Sequence, residues 1–195
     1  MTGMEYFFMA LMFSCALIRP FTLRSCAMAH APHTTPAFMG VWTLGGAFLM
    51  LPLCLPMAQD ALPVLMDKPY LIAIGLSKGL ILWLAIALGQ AIRKHSNSTC
   101  EYKAPLSICI LAIINFFQGE ALTTTQWGAV MCLAILGFVF SMRGHMRTLS
   151  PKHKLMFWGI VLLGALPGAC DQAVIPHTNW YTLFTLSAMG MLLTS

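Results

Sequence analysis

The chain has 195 residues, of which 58% are hydrophobic and only 9% are charged. Soluble domains are about 45–50% apolar and about 25% charged, so this composition excludes an ordinary soluble domain, and its apolar content excludes a disordered chain. The formal net charge of +5 is modest, and its basic residues fall in short stretches between apolar runs, which argues against a nucleic-acid partner. The composition therefore indicates an integral membrane protein in contact with the lipid bilayer.

Seven apolar segments follow one another along the chain. A bilayer core about 30 Å thick needs roughly 20 mostly apolar residues per helix, so each segment is a candidate membrane helix. The first begins near Tyr6, is cleanly apolar only to Ile18, and spans only if it continues through Arg19 and Arg24. The others cover about Ala37–Met57, Tyr70–Ile92, Ala104–Gln118, Thr125–Met142, Leu155–Val174 and Trp180–Leu193. The sequence predicts an all-α, polytopic bundle with about seven transmembrane helices.

The sequence gives no sign of a signal peptide, a disulfide framework or a metal site. Glu5 stands where a signal peptide carries basic residues, so we expect the first segment to be retained. The seven cysteines are odd in number and form no CxxC pair, and His30 and His33 are interpreted as loop histidines, so no disulfide framework, metal site or cofactor is predicted. The sequence contains no HExxH and no pair of catalytic acids, so we expect no enzyme.

The basic residues are distributed unevenly between the connections. Nine of the eleven lie in or near the first, third and fifth connections: Arg19, Arg24, Arg93, Lys94, Lys103, Arg143, Arg147, Lys152 and Lys154. Positive charge marks cytoplasmic loops, so the charge pattern predicts that these connections face the cytoplasm and that the N-terminus faces outward.

A short internal repeat divides the chain. The stretch Cys26–Thr34 recurs 144 residues later as Cys170–Thr178, matching at Cys, Ala, Pro, His and Thr, with Gly46 and Gly190 also in register. Five apolar segments fit within one offset, and an odd number of helices per repeat inverts the second copy in the membrane. We therefore expect a first five-helix repeat over 1–148 and the start of a second over 149–195.

The stretch Gly119-Glu120-Ala121-Leu122-Thr123-Thr124-Thr125-Gln126-Trp127-Gly128 resembles a turn of a known family. It is similar to the turn between the fourth and fifth helices of EamA-type members of the drug/metabolite transporter superfamily. The stretch Gly168–Gln172, followed by Pro176, is similar to the opening helix of that family's second repeat. The resemblance implies a ten-helix transporter in two inverted repeats, of which this chain holds the first repeat and two further helices.

The resemblance also implies a function. It suggests a multi-pass protein of the cell membrane, in a bacterium the inner membrane, that exports a small metabolite or a drug-like solute. It implies an N-terminus inside, opposite to the orientation that the charge pattern predicts. The alternative is a non-transporting membrane subunit or an inactive fragment, which would need a partner half or a second copy of itself.

Lys78 is the first candidate for a substrate cavity. It lies inside the third segment, where eleven Leu or Ile residues outweigh the cost of inserting one lysine. An ionisable group inside a span is a functional hypothesis by default, so the side chain either lines a solute cavity and attracts an anion or a zwitterion, or extends to the interface along its own stem.

Four further candidates can also be interpreted either as cavity residues or as residues of the membrane interface and of helix contacts. Arg24 and Asp171 either pair across the bundle and line the cavity, or anchor the interface. Trp83 and Asn115 either line the cavity or belong to the interfacial belt and to helix contacts. Gly119 and Glu120 are interpreted as structural turn residues, since glycine permits a sharp reversal and a carboxylate favours the start of the next helix.

Overall fold

The computed structural model describes residues 25, 28, 34–94, 103–119, 121–143 and 149–195. Within these ranges the chain forms six α-helices and no strand. They are α1 Thr34–Asp67, α2 Tyr70–Arg93, α3 Lys103–Phe117, α4 Thr124–Arg143, α5 Pro151–Val174 and α6 Trp180–Leu193. The all-helical fold class is therefore confirmed for the described part of the chain, and the segment predicted near Tyr6 lies outside it.

Helix α1 is longer than the sequence predicts. It has 34 residues and continues past Met57 to Asp67, through Pro63. The extension is stabilised by packing, because Val64 and Leu65 lie against the buried cluster of Leu71, Val174 and Leu183. The prediction relied on hydropathy and therefore placed the end of the segment before the first polar residues, although those residues belong to the same helix.

Three of the described helices, α1, α2 and α5, are long and apolar enough to cross a membrane. The apolar parts of α3, α4 and α6 are shorter, at Pro105–Phe117, Thr124–Val139 and Trp180–Leu193. At 1.5 Å per residue, 14 residues of α6 span about 21 Å, which is less than a bilayer core of about 30 Å. The expectation of seven full-length spans is thus met only in part among the described residues.

Helix α2 lies at the centre of the described bundle. It contacts α1, α5 and α6, while α5 also packs on α3, and α3 on α4. Lys78 near the start of α2 meets Asp171 near the end of α5, and Ile92 at the end of α2 packs with Phe157 in the first half of α5, so these helices are antiparallel. Gly75 and Gly79 of α2 meet successive turns of α6, so that pair is parallel. The predicted division at residue 148 therefore separates helices that pack closely together.

The two ends of the bundle differ in charge. A buried apolar cluster that includes Ile92, Leu106 and Phe157 brings together the end of α2, the start of α3 and the first half of α5. The basic residues Arg93, Lys94, Lys103, Lys152 and Lys154 belong to this end. Asp60, Asp67 and Lys68 lie at the opposite end, where α1 turns into α2. The helix directions thus agree with the uneven distribution of basic residues.

The two ends should be reachable from opposite sides of a membrane. In a cysteine-free background, we expect Asp60→Cys to react with a membrane-impermeant maleimide in intact cells. Lys152→Cys should react only after the membrane is opened, because basic residues mark the cytoplasmic side. Labelling of both positions from the same side would contradict the helix directions, and reversed labelling would contradict the charge assignment.

The close crossing of α2 and α6 should not tolerate a side chain at Gly79. A Cβ there would lie 2.2 Å from the carbonyl oxygen of Ser187. We expect Gly79→Ala to lower the free energy of unfolding by about 1–3 kcal/mol, because α6 must shift to admit the methyl group. Denaturant unfolding of the purified protein in detergent, followed by circular dichroism, measures this change.

Gly159→Ala in α5 is the matched control for this substitution. A Cβ at Gly159 would have no neighbour within 4 Å. Alanine also favours a helix over glycine by up to about 1 kcal/mol, so the control should be neutral or stabilising. Equal stability of the two variants would show that α6 does not lie where we describe it.

Candidate functional site

An ion pair joins α2 to α5. The Lys78 Nζ donates to Asp171 Oδ1, although the two residues are 93 positions apart in the chain. The Lys78 side chain is 15% exposed and that of Asp171 is 39% exposed. The ammonium group is therefore stabilised mainly by the carboxylate and not by water. The structure thus places the Lys78 charge against an opposite charge on another helix.

The pair lies within an apolar part of the bundle. Lys78 is eight residues after Tyr70, or about 12 Å along α2, and Asp171 is about 4.5 Å before the end of α5 at Val174. Leu71, Val174 and Leu183 form a buried cluster near this end of the bundle. In such surroundings an unpaired charge is costly, and the ion pair offsets part of this cost.

Glycine brings α6 against the same part of α2. A Cβ at Gly190 would lie 2.2 Å from the carbonyl oxygen of Leu76, and one at Gly75 would lie 2.7 Å from the side chain of Leu186. The helices therefore touch through their backbones, a contact that small residues permit between membrane helices. This contact places residues 187–191 of α6 beside Lys78.

Side chains of α6 and of the turn before it bond to backbone carbonyls of α1. Asn179 accepts a hydrogen bond from the amide of Thr182, 2.9 Å away, and so caps the start of α6. Its amide nitrogen also donates to the carbonyl of Met57 in α1, at 2.7 Å. The buried Tyr181 hydroxyl donates to the carbonyl of Ala47, at 2.8 Å.

These helices line an open cavity of about 300 Å³ beside the ion pair. Its polar lining consists of Thr43, Lys78, Asp171 and Ser187, and its aromatic lining of Trp180 and Phe184. Aliphatic side chains form the rest. Among the described residues that line it, Lys78 and Asp171 are the charged ones, so the cavity carries one positive and one negative group.

The two hydroxyl groups of the cavity can accept hydrogen bonds. Thr43 Oγ1 donates to the carbonyl of Met39 at 2.6 Å, and Ser187 Oγ donates to the carbonyl of Leu183 at 2.7 Å. Because each hydroxyl hydrogen is already used within its own helix, the oxygen lone pairs remain for a donor in the cavity. The site thus combines one cationic donor with a carboxylate and two neutral acceptors.

The other predicted cavity residues are not gathered at this site. Arg24 lies outside the described residues. Trp83 follows Lys78 by five positions on α2 and does not line the cavity, and Asn115 belongs to α3, whose helix partners are α4 and α5. The Trp83 Nε1 and Asn115 Oδ1 atoms are buried and have no hydrogen-bond partner among the described residues. Trp180, by contrast, lines the cavity, although its place at the start of an apolar run is equally typical of an interfacial tryptophan.

The predicted turn lies between α3 and α4, away from the cavity. Gly119 has a φ of +91°, a left-handed conformation that glycine adopts without strain, and Glu120 lies outside the described residues. The Thr123 hydroxyl accepts a hydrogen bond from the backbone N–H of Gln126 at 3.3 Å. The side-chain Oε1 of Gln126 in turn accepts one from the backbone N–H of Thr123 at 2.8 Å. This reciprocal capping box begins α4.

Comparison of the chain with family models, with curated proteins and with solved structures finds no match. In the described ranges, no group of three or more His, Cys, Asp or Glu side chains is arranged to hold a metal ion. The ion pair and its cavity therefore carry the functional argument.

Stability measurements should detect the ion pair. We expect Lys78→Met and Asp171→Asn each to lower the free energy of unfolding, because each leaves one partly buried charge without its partner. The double variant should be less destabilised than the sum of the two, with a coupling of about 0.5–3 kcal/mol in a double-mutant cycle. Additive effects within about 0.5 kcal/mol would show that the two side chains do not interact.

Proposed function

We propose that the chain is a multi-pass helical protein of the cell membrane that moves a small solute across it, and that it belongs to the EamA-type drug/metabolite transporters. The observation that carries the proposal is the ion pair between Lys78 and Asp171, which lines a cavity between apolar helices. Ionisable residues are expensive within a membrane and typically mark a solute or ion pathway.

The arrangement of the helices supports this proposal. Three helices have the length and hydropathy of membrane spans, and α2 is antiparallel to α5, as expected of helices that cross a membrane in opposite directions. The cavity lies between helices from both sides of residue 148, and transporters with repeats typically bind solutes at the interface of the repeats. The seven-span, ten-helix plan and an export direction are part of the same proposal.

A chemical step is not required by this function. The cavity offers one ammonium group, one carboxylate and two hydroxyl oxygens, which can bind a polar solute and release it. Movement then depends on exposing the cavity to each side of the membrane in turn, as in alternating access.

A second candidate is a membrane subunit that needs a partner helix bundle. It is favoured by an apolar groove of about 620 Å³ on α1, lined by Phe38, Trp42 and Leu49 among others. In a bilayer the same groove can be filled by lipid, and for this reason we rank the subunit second.

The transport proposal predicts that Lys78→Met abolishes solute movement while the protein is still produced and inserted. The test is counterflow into liposomes that contain the purified protein, with a panel of radiolabelled anionic, cationic, zwitterionic and neutral solutes. Lys152→Met, which removes an exposed lysine at the basic end, is the matched control and should move solutes at the wild-type rate.

Two results would contradict this prediction. Movement at the wild-type rate by Lys78→Met would remove the cavity from the mechanism. Movement of no solute by the wild-type protein, together with a crosslinked complex with another membrane protein in cells, would favour the subunit.

A further inference from the structure

The basic end of the bundle has three cationic side chains that are partly or wholly withdrawn from water. Arg93 at the end of α2 is only 4% exposed, and Lys103 at the start of α3 and Lys154 near the start of α5 are half-buried. Each of the three belongs to a different helix. Lys94 and Lys152, their neighbours in the sequence, are exposed, so this end has withdrawn cations as well as ordinary surface ones.

The three withdrawn cations converge on one apolar cluster, whose buried members include Ile92, Leu106 and Phe157. Arg93 directly follows the cluster residue of α2. Lys103 and Lys154 each lie three residues before the cluster residue of their own helix. Residues three apart are neighbours on one helix face, so both lysines lie on the helix faces that pack on the cluster.

The two lysines also lie at similar heights. Helices α3 and α5 run parallel, because Ser107 contacts residues 161–164 and Leu111 contacts Gly168 one turn later. From the hydrogen bond between Ser107 and the carbonyl of Val161, Lys103 is about 6 Å and Lys154 about 10 Å further toward the basic end. The four-carbon stem of lysine can cover this difference, so both ammonium groups can contact one ligand.

Nothing among the described residues neutralises this end with a carboxylate. The acidic residues of the described part are Asp60, Asp67 and Asp171, and all three lie in the opposite half of the bundle. Glu101, which lies outside the described residues, can offset at most one positive charge. Helices α3 and α5 both begin here, so their dipoles add to the positive potential. Partly buried cations are screened less than solvated ones, so an anion is attracted more strongly to them.

An anionic phospholipid has the chemistry that this surface requires. Its phosphate meets the cations, while its acyl chains can lie along the exposed apolar side chains that follow on α5, such as Leu155 and Trp158. A soluble phosphate can make only the first contact. Basic pockets between membrane helices on the cytoplasmic side are typical sites for such lipids. A lipid with two phosphate groups, such as cardiolipin, can contact several of the cations at once.

We propose that the basic end holds a binding site for the headgroup of an anionic phospholipid, formed by Arg93, Lys103 and Lys154. The proposal requires the chain to lie in a membrane, but it does not depend on solute transport.

The test is the binding of defined lipids to the purified full-length protein in detergent, measured by native mass spectrometry. We expect cardiolipin to bind about tenfold more tightly than phosphatidylcholine with the same acyl chains, because only the former has a net negative charge. The preference should shrink when ammonium acetate is raised from about 0.1 M to about 0.5 M, since salt screens the attraction. Lys103→Gln and Lys154→Gln should each weaken cardiolipin binding about fivefold.

Two control variants separate a site from a diffuse surface charge. Lys152→Gln removes the same charge from the same helix, but Lys152 is exposed and lies five residues before Phe157, on the other side of α5. It should change cardiolipin binding by less than about twofold, because an exposed lysine is well screened. Lys154→Arg keeps the charge and should bind cardiolipin like the wild-type protein. Inorganic pyrophosphate, a soluble anion without acyl chains, should not displace the lipid.

Three results would overturn the proposal. Equal binding of the two lipids by the wild-type protein would remove the site, and this comparison needs no variant to fold. An equal loss in Lys152→Gln and Lys154→Gln would show a diffuse charge effect, and displacement by pyrophosphate would show a site for soluble anions. Lipid selectivity without solute movement in liposomes would support the lipid site and contradict transport, whereas solute movement without lipid selectivity would do the reverse.

Discussion

An ammonium group among apolar helices requires an opposite charge, and this requirement ties the centre of the bundle together. Lys78 lies on α2, which contacts three of the other described helices, and its partner Asp171 lies on α5. The pair fixes the register between these two helices at one height, and the glycine contacts fix α6 at the same height. The cavity exists because these two constraints meet at one level of the bundle, where α6 touches α2 but leaves the ion pair uncovered.

The ion pair between Lys78 and Asp171 is easier to explain by function than by its contribution to stability. Two apolar side chains of similar size would often stabilise a buried site as well as an ion pair does, or better. Stability alone therefore does not explain why these two charges occupy the interior. Under the proposed transport function, a site that accepts a polar solute and then releases it does need them, because the same groups can pair with each other when the solute is absent.

Much of the helical pattern can be read from the sequence, since apolar runs report burial or contact with lipid. The predicted and observed bounds agree at Tyr70 and at Trp180, where an apolar run begins directly after a turn. They disagree at the end of α1 and at the start of α5. In α1 the polar residues after Met57 are held in the helix by packing, and in α5 the Ser150 hydroxyl caps a helix that begins at Pro151, before its apolar part.

The sequence also singled out Lys78 and Asp171, because charges within apolar runs are rare. It could not pair them, since contacts between residues 93 positions apart depend on the relative heights and rotations of two helices. The same limit applies to Asn115 and Trp83, which have suitable chemistry but lie elsewhere. The internal repeat has a related limit. Gly190 lies in a tight helix crossing, whereas among the described residues a Cβ at its counterpart Gly46 would have no neighbour within 4 Å. Residues that match in the two copies of the repeat therefore have different surroundings.

The glycine crossing of α2 and α6 also has a mechanical consequence. Where side chains separate two helices, a change of rotamer can let one helix tilt away from the other. Between Gly79 and Gly190 no side chain intervenes, and backbone lies directly on backbone. We therefore expect the two helices to move together, so that any widening of the cavity would come from displacement of α1 or α5 relative to them.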